Sequence, residues 1–194
     1  MTQTTNILIV GVGGQGILLA SELIADAAFL NQEDVKKSEV HGMAQRGGVV
    51  SSHVRFGKQV FSPLIPVGEV DILLAFEEME ALRWLYFVKK EGMVIVNQQQ
   101  MVPPIAVMKG LPYPEDPIQQ IRSSIPKVLP IGARQVAKEI GNERVMNLIL
   151  LGMLSTGLSF DMAVWEKAIC QRVPKGTEEI NIKAFHMGRE KATS

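Results

Sequence analysis

The chain has 194 residues, which suits one domain of ordinary size, and 46% of them are hydrophobic, enough for a complete core. Its 20 basic and 20 acidic residues cancel to a formal net charge of +0, which argues against nucleic acid or an anionic membrane as a partner, because such binding depends on a basic field. The single cysteine, Cys170, excludes an internal disulfide and a cysteine-ligated iron–sulfur cluster, and it predicts a reduced, cytoplasmic setting.

The first ten residues, MTQTTNILIV, show neither a basic region nor a cleavage-site pattern, so we expect no signal peptide. The most apolar run, residues 145–160, is interrupted by asparagine, glycine, serine and threonine and is too short for a membrane span. The mean hydropathy of +0.14 is high for a soluble monomer. It predicts that some apolar surface is covered by a partner.

In the first third of the chain, the pattern of apolar residues predicts strands before and after one long helix. Residues 6–12 form a continuous apolar run, which favours a strand buried on both faces, as in a parallel sheet. A helix is predicted over residues 15–30 and a second strand over residues 35–40. Residues 49–56 and 59–64 are then predicted to form a β-hairpin around Gly57 and Lys58.

The remainder continues as alternating strands and helices. The pattern predicts strands at 71–76, 93–97 and 127–131, and helices at 77–90, 134–140, 143–154, 161–172 and 177–189. Five prolines make residues 102–117 an irregular crossing segment. The predicted fold is therefore α/β and Rossmann-like, a mostly parallel sheet with an inserted β-hairpin and a helical C-terminal region. We expect one domain over residues 1–194, with residues 142–194 as a helical extension packing on it.

The segment GVGGQG places Gly11, Gly13 and Gly16 in the G-x-G-x-x-G spacing, after a strand and before a helix. Glycines allow a phosphate to approach the backbone closely, and the helix N-terminus offers free N–H donors. Gly14 and Gln15 complete this candidate loop. A phosphate-bearing ligand and glycines used only for tight packing are equally favoured readings of the spacing.

A nicotinamide cofactor is the least favoured ligand for this loop. Such an enzyme needs an acidic residue about 20 residues after the glycines, at the end of the second strand, to bind the ribose hydroxyls. The chain has Lys36 and Lys37 at this position, and Glu39 lies slightly beyond the position expected for the acidic residue.

The second candidate loop is HGMAQRGG, residues 41–48. Arg46, followed by Gly47 and Gly48, can present a guanidinium beside exposed backbone amides, which suits an anion. The loop follows the second strand, so we expect it at the same edge of the sheet as GVGGQG, with the two loops flanking one crevice. His41 and Gln45 are further candidates. The alternatives are a surface arginine in an ordinary loop and a histidine with a structural role.

No other set of residues predicts a catalytic or metal site. The three histidines lack metal-ligand spacing, and Ser51, Ser52 and His53 do not form a nucleophile elbow. Three acidic residues at the start of the predicted helix 77–90 are interpreted as a solvated face, namely Glu77, Glu78 and Glu80. Three aromatic residues within the same helix are interpreted as helix packing, namely Trp84, Tyr86 and Phe87. The small residues of NLILLGMLSTG favour close helix approach, either in the core or at a subunit interface.

Together these segments resemble one family. GVGGQG, SEVHGMAQRGG and VSSHVRFG are similar to the gamma-type domain of 2-oxoacid:ferredoxin oxidoreductases, and SEVHGMAQ resembles the branch formed by the beta subunits of indolepyruvate:ferredoxin oxidoreductases. The resemblance continues through DILLAFEEMEALR and NLILLG.

The resemblance implies that an arylpyruvate is decarboxylated on thiamine diphosphate, that electrons pass through iron–sulfur clusters to ferredoxin, and that the acyl group ends on coenzyme A. This chain has no GDG…N thiamine motif and no cysteine cluster. The thiamine diphosphate and the clusters are therefore expected on a large alpha subunit that forms a hetero-oligomer with this chain, and this chain alone is expected to be inactive. Coenzyme A is a possible ligand of the crevice. Two alternatives are a freestanding NAD-type Rossmann protein and a non-enzymatic nucleotide-binding regulatory module.

Overall fold

The computed structural model describes residues 4–41, 48–102 and 112–193, with the side chain of His41 left out. The strands of the described part are β1 (Thr5–Val12), β2 (Asp34–His41), β3 (Val49–Gly57), β4 (Val70–Ala75), β5 (Val88–Asn97) and β6 (Lys127–Ile131). The helices are α1 (Ile17–Leu30), α2 (Glu78–Arg83), α3 (Pro117–Arg122), α4 (Ala133–Ile140), α5 (Met146–Ser155), α6 (Met162–Arg172) and α7 (Glu178–Thr193). Short 3-10 turns lie at Leu85–Phe87 and Glu143–Val145.

One six-stranded sheet has the order β2-β3-β1-β4-β5-β6. The strands β1, β4, β5 and β6 run parallel to one another, and β3 is antiparallel to both of its neighbours, β1 and β2. The predicted α/β class with a mostly parallel sheet is confirmed. An ordinary dinucleotide-binding sheet places its first two parallel strands side by side, whereas here β3 separates them.

The predicted hairpin of residues 49–56 with 59–64 is wrong. Both edges of β3 are already paired, with β2 and with β1, so residues 60–65 cross the face of the sheet instead of extending it. Side chains satisfy the backbone of this segment: Asp34 accepts from Val60 N at 2.8 Å, and Arg55 Nη1 donates to the carbonyls of Ser62 (2.8 Å) and Leu64 (3.0 Å).

The predicted helix 77–90 is much shorter than expected. It ends at Arg83 in α2, and β5 begins at Val88, five residues before the predicted strand start at Met93. The cause is pairing with β4, because Val88 lies opposite Val70 and Lys89 Nζ contacts Asp71 Oδ1 at 2.6 Å. A second unpredicted feature is α3, which begins at Pro117. Pro117 is the last residue of the predicted irregular segment, and residues 103–111 of that segment lie outside the described residues.

The sheet is covered on both faces, as the continuous apolar run of β1 predicts. Ile7 and Ile9 point into the larger core cluster with α1, α5, α6 and α7, and Leu8 and Val10 point into the smaller one with α2 and α3. Alternate residues of one strand therefore serve two cores. In the described part of the chain, no helix is long and apolar enough to cross a membrane.

The small residues of α5 allow a backbone-to-backbone contact with α7 inside the protein. A Cβ atom added at Gly152 would lie 2.0 Å from the carbonyl oxygen of Phe185, and one added at Gly188 would lie 2.0 Å from that of Ile149. The nine residues Asn147 to Ser155 of α5 are all buried. Of the two readings of this segment, core packing is the one that the structure supports.

We predict that Gly152→Ala or Gly188→Ala lowers the free energy of unfolding by about 1–3 kcal/mol or more, because the added methyl must push two helix backbones apart. Denaturant unfolding of the purified chain measures this. Gly132→Ala is the matched control, since the nearest atom to a Cβ there is 3.9 Å away and φ is −78°. The control is expected to change the value by less than about 0.5 kcal/mol. An unchanged midpoint for Gly188→Ala would contradict the close contact.

Candidate functional site

The candidate site is a crevice at the edge where the parallel strands β1, β4, β5 and β6 have their carboxyl ends. Its floor is the glycine-rich loop between β1 and α1. Gly14 (φ 101°) and Gly16 (φ 87°) adopt the left-handed conformation that glycine permits. Gly11 serves packing instead, because a Cβ atom there would lie 2.8 Å from the Cβ of Phe76. Packing therefore accounts for Gly11, the loop conformation accounts for Gly14 and Gly16, and a phosphate ligand of this loop stays a prediction.

Helix α1 points its N-terminus at this crevice. Gly16 is the N-cap, and no side chain caps the helix, so the first-turn amides of residues 17–19 have no partner within the described residues. Free N–H groups at the start of a helix of 14 residues, together with its dipole, favour an anion.

The opposite wall comes from the 3-10 turn before α5 and from α5 itself. A groove of about 390 Å³ has the glycine-rich loop on one side and the start of α5 with its preceding turn on the other (Gly14, Gln15, Gly16; Glu143, Arg144, Met146, Asn147). An adjoining groove of about 330 Å³ shares part of this lining and extends to Gln99, Met101 and Arg134. Asn147 covers the loop closely, since a Cβ atom on Gly16 would lie 2.9 Å from its Nδ2.

Two arginines that the sequence analysis did not single out line the crevice. Arg134 follows directly after β6, in the first turn of α4, and Arg144 lies in the turn before α5. Arg134 Nε contacts Glu143 Oε2 at 2.8 Å, but both side chains are well exposed, so this ion pair is weak. The position of Arg134, at the carboxyl end of a predicted strand, was the signal that could have found it.

Gln15 was predicted as a ligand contact, and the structure turns its side chain into the protein. Its Oε1 accepts from the backbone N of Val12 at 2.7 Å, and its Nε2 donates to the carbonyl of Phe76 at 3.1 Å and to Gln99 Oε1 at 3.4 Å. The side chain thus holds the glycine loop in shape, while the residue as a whole remains part of the crevice lining.

Asn97, at the end of β5, extends this set of amides. Its Nδ2 donates to the carbonyl of Phe76 (3.2 Å) and to Gln99 Oε1 (3.1 Å), and its Oδ1 accepts from the backbone N of Ala133 (3.1 Å). We call Gln15, Asn97 and Gln99 the amide network. It connects the ends of β1, β4 and β5 to the start of α4, and the sequence signal for it was the polar run NQQQ directly after a buried strand.

The last residue of the second loop contacts the first loop, at the predicted edge of the sheet. The backbone N of Gly13 donates to the carbonyl of Gly48 at 2.8 Å, so the end of HGMAQRGG lies beside the glycine-rich loop. The backbone of His41 pairs with Val50 at the end of β2. The His41 side chain, Gln45, Arg46 and Gly47 lie outside the described residues, and their roles stay predictions.

The structure adds to the evidence against a nicotinamide cofactor. The side chain of Glu39, the late candidate for a ribose clamp, accepts from Ser21 Oγ at 3.0 Å and pairs with Lys37 Nζ at 2.8 Å. It is engaged by α1 and its own strand. Moreover, β3 separates β2 from the glycine-rich loop, so the ordinary geometry of a dinucleotide clamp is lost.

The interpretation of three glutamates as a solvated face is wrong, because Glu77, Glu78 and Glu80 are 0%, 6% and 1% exposed. Helix α2 is short, and the chain after β5 packs over its first turn: Glu78 N donates to the carbonyl of Gln99 at 3.1 Å. Burial raises the pKa of Glu80, and the charge of Glu77 adds to this, while Arg83 opposes it. Burial, followed by a hydrogen bond to Glu77, also raises the pKa of Tyr113.

The buried residues of β3 have structural roles. Ser51, Ser52 and His53 are each less than 7% exposed. His53 Nδ1 accepts from the backbone N of Ile65 at 3.2 Å, and burial, aided by Arg55, lowers the pKa of the imidazole. Among the described residues, no group of three or more His, Cys, Asp and Glu side chains is arranged to hold a metal ion.

A second surface feature is an apolar groove outside the crevice. Val40, Leu64 and Tyr86 are 56%, 55% and 61% exposed and line one groove on the sheet face opposite α1. We call these three residues the apolar patch. The predicted packing is confirmed for Trp84 and Phe87, which lie half-buried against the smaller core cluster, and is wrong for Tyr86. The three residues lie in and just before a 3-10 turn, and not in a long helix, and this turn places Tyr86 at the surface.

Comparisons with known proteins agree with this geometry. The family described as pyruvate ferredoxin/flavodoxin oxidoreductase matches residues 6–191. The chain is 39% identical to the indolepyruvate oxidoreductase subunit IorB of Archaeoglobus fulgidus, covering 97% of this chain and 96% of that protein. It is 32% identical to the 2-oxoglutarate synthase subunit KorC of Methanothermobacter thermautotrophicus, covering 95% and 93%.

Solved structures show the same fold. The gamma subunit of a keto/oxoacid ferredoxin oxidoreductase from Geobacter sulfurreducens superposes with a TM-score of 0.70 at 27% identity, covering 97% of this chain and 98% of that chain. The pyruvate oxidoreductase subunit PORC of Thermotoga maritima, at 20% identity and a TM-score of 0.72 over 97% and 96% of the two chains, supports the fold alone. The chain therefore belongs to the pyruvate ferredoxin/flavodoxin oxidoreductase family.

Proposed function

We propose that the chain is a subunit of an indolepyruvate-type 2-oxoacid:ferredoxin oxidoreductase, which decarboxylates an arylpyruvate oxidatively to its acyl-coenzyme A and passes the electrons to ferredoxin. The near full-length similarity to IorB subunits, at 35–39% identity, supports the indolepyruvate branch over the 2-oxoglutarate branch at 29–32%. Thiamine diphosphate and the iron–sulfur clusters belong to a large partner subunit in this proposal, since this chain has one cysteine.

The role of this chain is to bind the phosphates of coenzyme A in the crevice. The observation that carries this role is the set of amides at the start of α1 that have no partner in the part of the chain that the structure describes. These amides face a wall containing Arg134 and Arg144. Backbone N–H groups and guanidinium groups are the donors that phosphates require. Coenzyme A supplies the thiol that receives the acyl group, and this chain orients the nucleotide end. Arg46, in the second loop, is proposed to add a further guanidinium.

The large subunit is proposed to cover the apolar patch. Val40, Leu64 and Tyr86 lie on the face opposite α1, next to the strand ends that lead into the second loop. Exposed apolar side chains that share one groove favour association with another protein. A cover at this position also brings the partner close to the crevice, where its chemistry is needed.

A freestanding NAD-type protein remains the runner-up among the enzymes, and the engagement of Glu39 with Ser21 and Lys37 disfavours it. Titration with nicotinamide cofactors distinguishes the two, because saturable binding of NAD to the isolated chain would support the runner-up. A regulatory module would bind a nucleotide without a large obligate partner, which co-purification from the native host tests.

We expect the purified chain alone to show no oxidoreductase activity, because it lacks cluster ligands and a thiamine motif. Mixing it with the large subunit should give reduction of a viologen dye that depends on both an arylpyruvate and coenzyme A. Robust turnover by this chain alone would contradict the proposal.

For Arg46→Ala we expect the coenzyme A requirement of the assembled complex to rise about 10- to 150-fold. The substitution removes a charge-assisted hydrogen bond, which contributes roughly 1.5–3 kcal/mol. Arg46→Lys should restore binding only in part, because lysine keeps the charge and loses the planar fork. Steady-state kinetics measures the requirement, and size-exclusion chromatography checks assembly.

The matched control is Arg122→Ala, which removes an exposed arginine at the end of α3. It should leave the coenzyme A requirement unchanged. If Arg46→Ala instead weakens assembly and leaves this requirement unchanged, the residue holds the loop against the partner. If the Arg46→Ala variant assembles normally and its coenzyme A requirement is unchanged, Arg46 neither binds coenzyme A nor holds the loop against the partner.

The apolar patch can be tested with one pair of substitutions. Tyr86→Ser should weaken assembly with the large subunit by on the order of tenfold or more, because a tyrosine buried in an interface is a frequent hot spot. Phe29→Ser is the control, since Phe29 is 73% exposed at the end of α1, away from the patch. Analytical ultracentrifugation measures both. Equal affinities for the two variants would show that the partner binds elsewhere.

A further inference from the structure

Glu77 is a fully buried carboxylate at the carboxyl end of β4 with three hydrogen-bond donors from three parts of the chain. Its Oε2 accepts from the backbone N of Glu80 at 2.9 Å, which makes it the N-cap of α2. Its Oε1 accepts from the backbone N of Met101 at 2.9 Å and from the hydroxyl of Tyr113 at 2.6 Å. One oxygen therefore serves the helix, and the other serves the chain that follows β5.

The second oxygen connects Glu77 to the wall of the crevice. Met101 and Gln99 both line the groove next to Gly13 and Gly14. The Sδ of Met101 and the Oε1 of Gln99 lie 3.3 Å and 3.4 Å from Nε2 of Gln15, the residue that shapes the glycine loop. The contacts thus run from Glu77 through Met101 to Gln15 without leaving the buried side of the crevice.

A carboxylate is the side chain that this position requires. Three donors converge on it, and a glutamine would have to turn its NH₂ group towards at least one of them. In the described part of the chain, no lysine or arginine forms an ion pair with Glu77, so these donors carry the stabilisation of the buried charge. Such an arrangement holds its neighbours in one geometry, since any shift leaves a buried charge underbonded.

We propose that Glu77 is a positioning residue for the crevice, which fixes Met101 against Gln15 and thereby holds the glycine-rich loop in its ligand-binding shape. The proposal rests on the proposed function only for the identity of the ligand, coenzyme A. Glu77 does not touch that ligand in this scheme; it acts through the wall and the loop. The alternative is that Glu77 serves α2 alone, as an ordinary N-cap.

Glu77→Asp separates the two roles. Aspartate is among the best N-cap residues, so α2 keeps its cap, and amide hydrogen exchange within α2 should stay close to that of the unsubstituted chain. Aspartate is also one methylene shorter, so it cannot cap Glu80 and still reach Met101 and Tyr113. We therefore expect amide hydrogen exchange in residues 99–102 and 12–17 to become roughly tenfold faster, because a hydrogen bond to a charged acceptor is lost.

The experiment uses the assembled complex, with exchange followed by mass spectrometry and coenzyme A binding followed by titration. The dissociation constant for coenzyme A should rise roughly tenfold in Glu77→Asp, since the loop loses its preorganisation. Glu80→Gln is the matched control, because Glu80 is equally buried on the same helix, and no hydrogen bond from it to the chain after β5 is present among the described residues. The control should change neither exchange in these two segments nor binding.

Unchanged exchange in residues 12–17 of Glu77→Asp would overturn the inference, and so would faster exchange with an unchanged dissociation constant. Amide hydrogen exchange can be measured without a ligand, so the positioning role of Glu77 and the binding of coenzyme A can be contradicted independently. An unsubstituted complex that bound no coenzyme A would contradict the proposed function, whereas the inference would still be decided by exchange in the glycine-rich loop.

Discussion

The structure depends on one constraint at the carboxyl ends of its parallel strands: backbone groups that leave the sheet there must be paired although they are shielded from water. Side-chain amides supply the partners. Gln15 and Asn97 both donate to the carbonyl of Phe76, Gln15 accepts from Val12, and Asn97 accepts from the first amide of α4. With these groups paired, the amides of residues 17–19 at the start of α1 remain without a partner among the described residues.

The antiparallel strand β3 explains why this sheet is not an ordinary dinucleotide-binding one. It occupies the position beside β1 that a second parallel strand would hold, and it moves β2 to the edge of the sheet. With β3 in this position, Gly48, the residue before it, contacts Gly13, and Glu39 on β2 contacts α1. The same glycine spacing is therefore placed beside a second glycine-rich loop and away from an acidic clamp, which suits a phosphate group better than a ribose.

Buried glutamates beneath a proposed anion site look unfavourable at first, but their charges are directed inward. Glu77 is surrounded by donors from α2, Met101 and Tyr113, and Arg83 Nε lies 3.2 Å from Glu80 Oε1. The donors that face the crevice belong to other groups, namely the amides of α1 and the side chains of Arg134 and Arg144. The buried glutamates thus have donors of their own, and Glu143, a carboxylate that does line the crevice, is paired with Arg134.

The sequence by itself determined the α/β class, the β1–glycine loop–α1 unit, the edge at which both glycine-rich loops lie, and the family. These features depend on local signals: continuous apolar runs, glycines at positive φ, and short motifs with fixed spacing. Tertiary structure alone decided that residues 60–65 cross the face of the sheet, that β5 begins at Val88, and that Glu77, Glu78 and Glu80 are buried. In each case the outcome depends on which distant segment takes the available backbone hydrogen bonds or covers the surface, and no pattern within the segment itself carries that information.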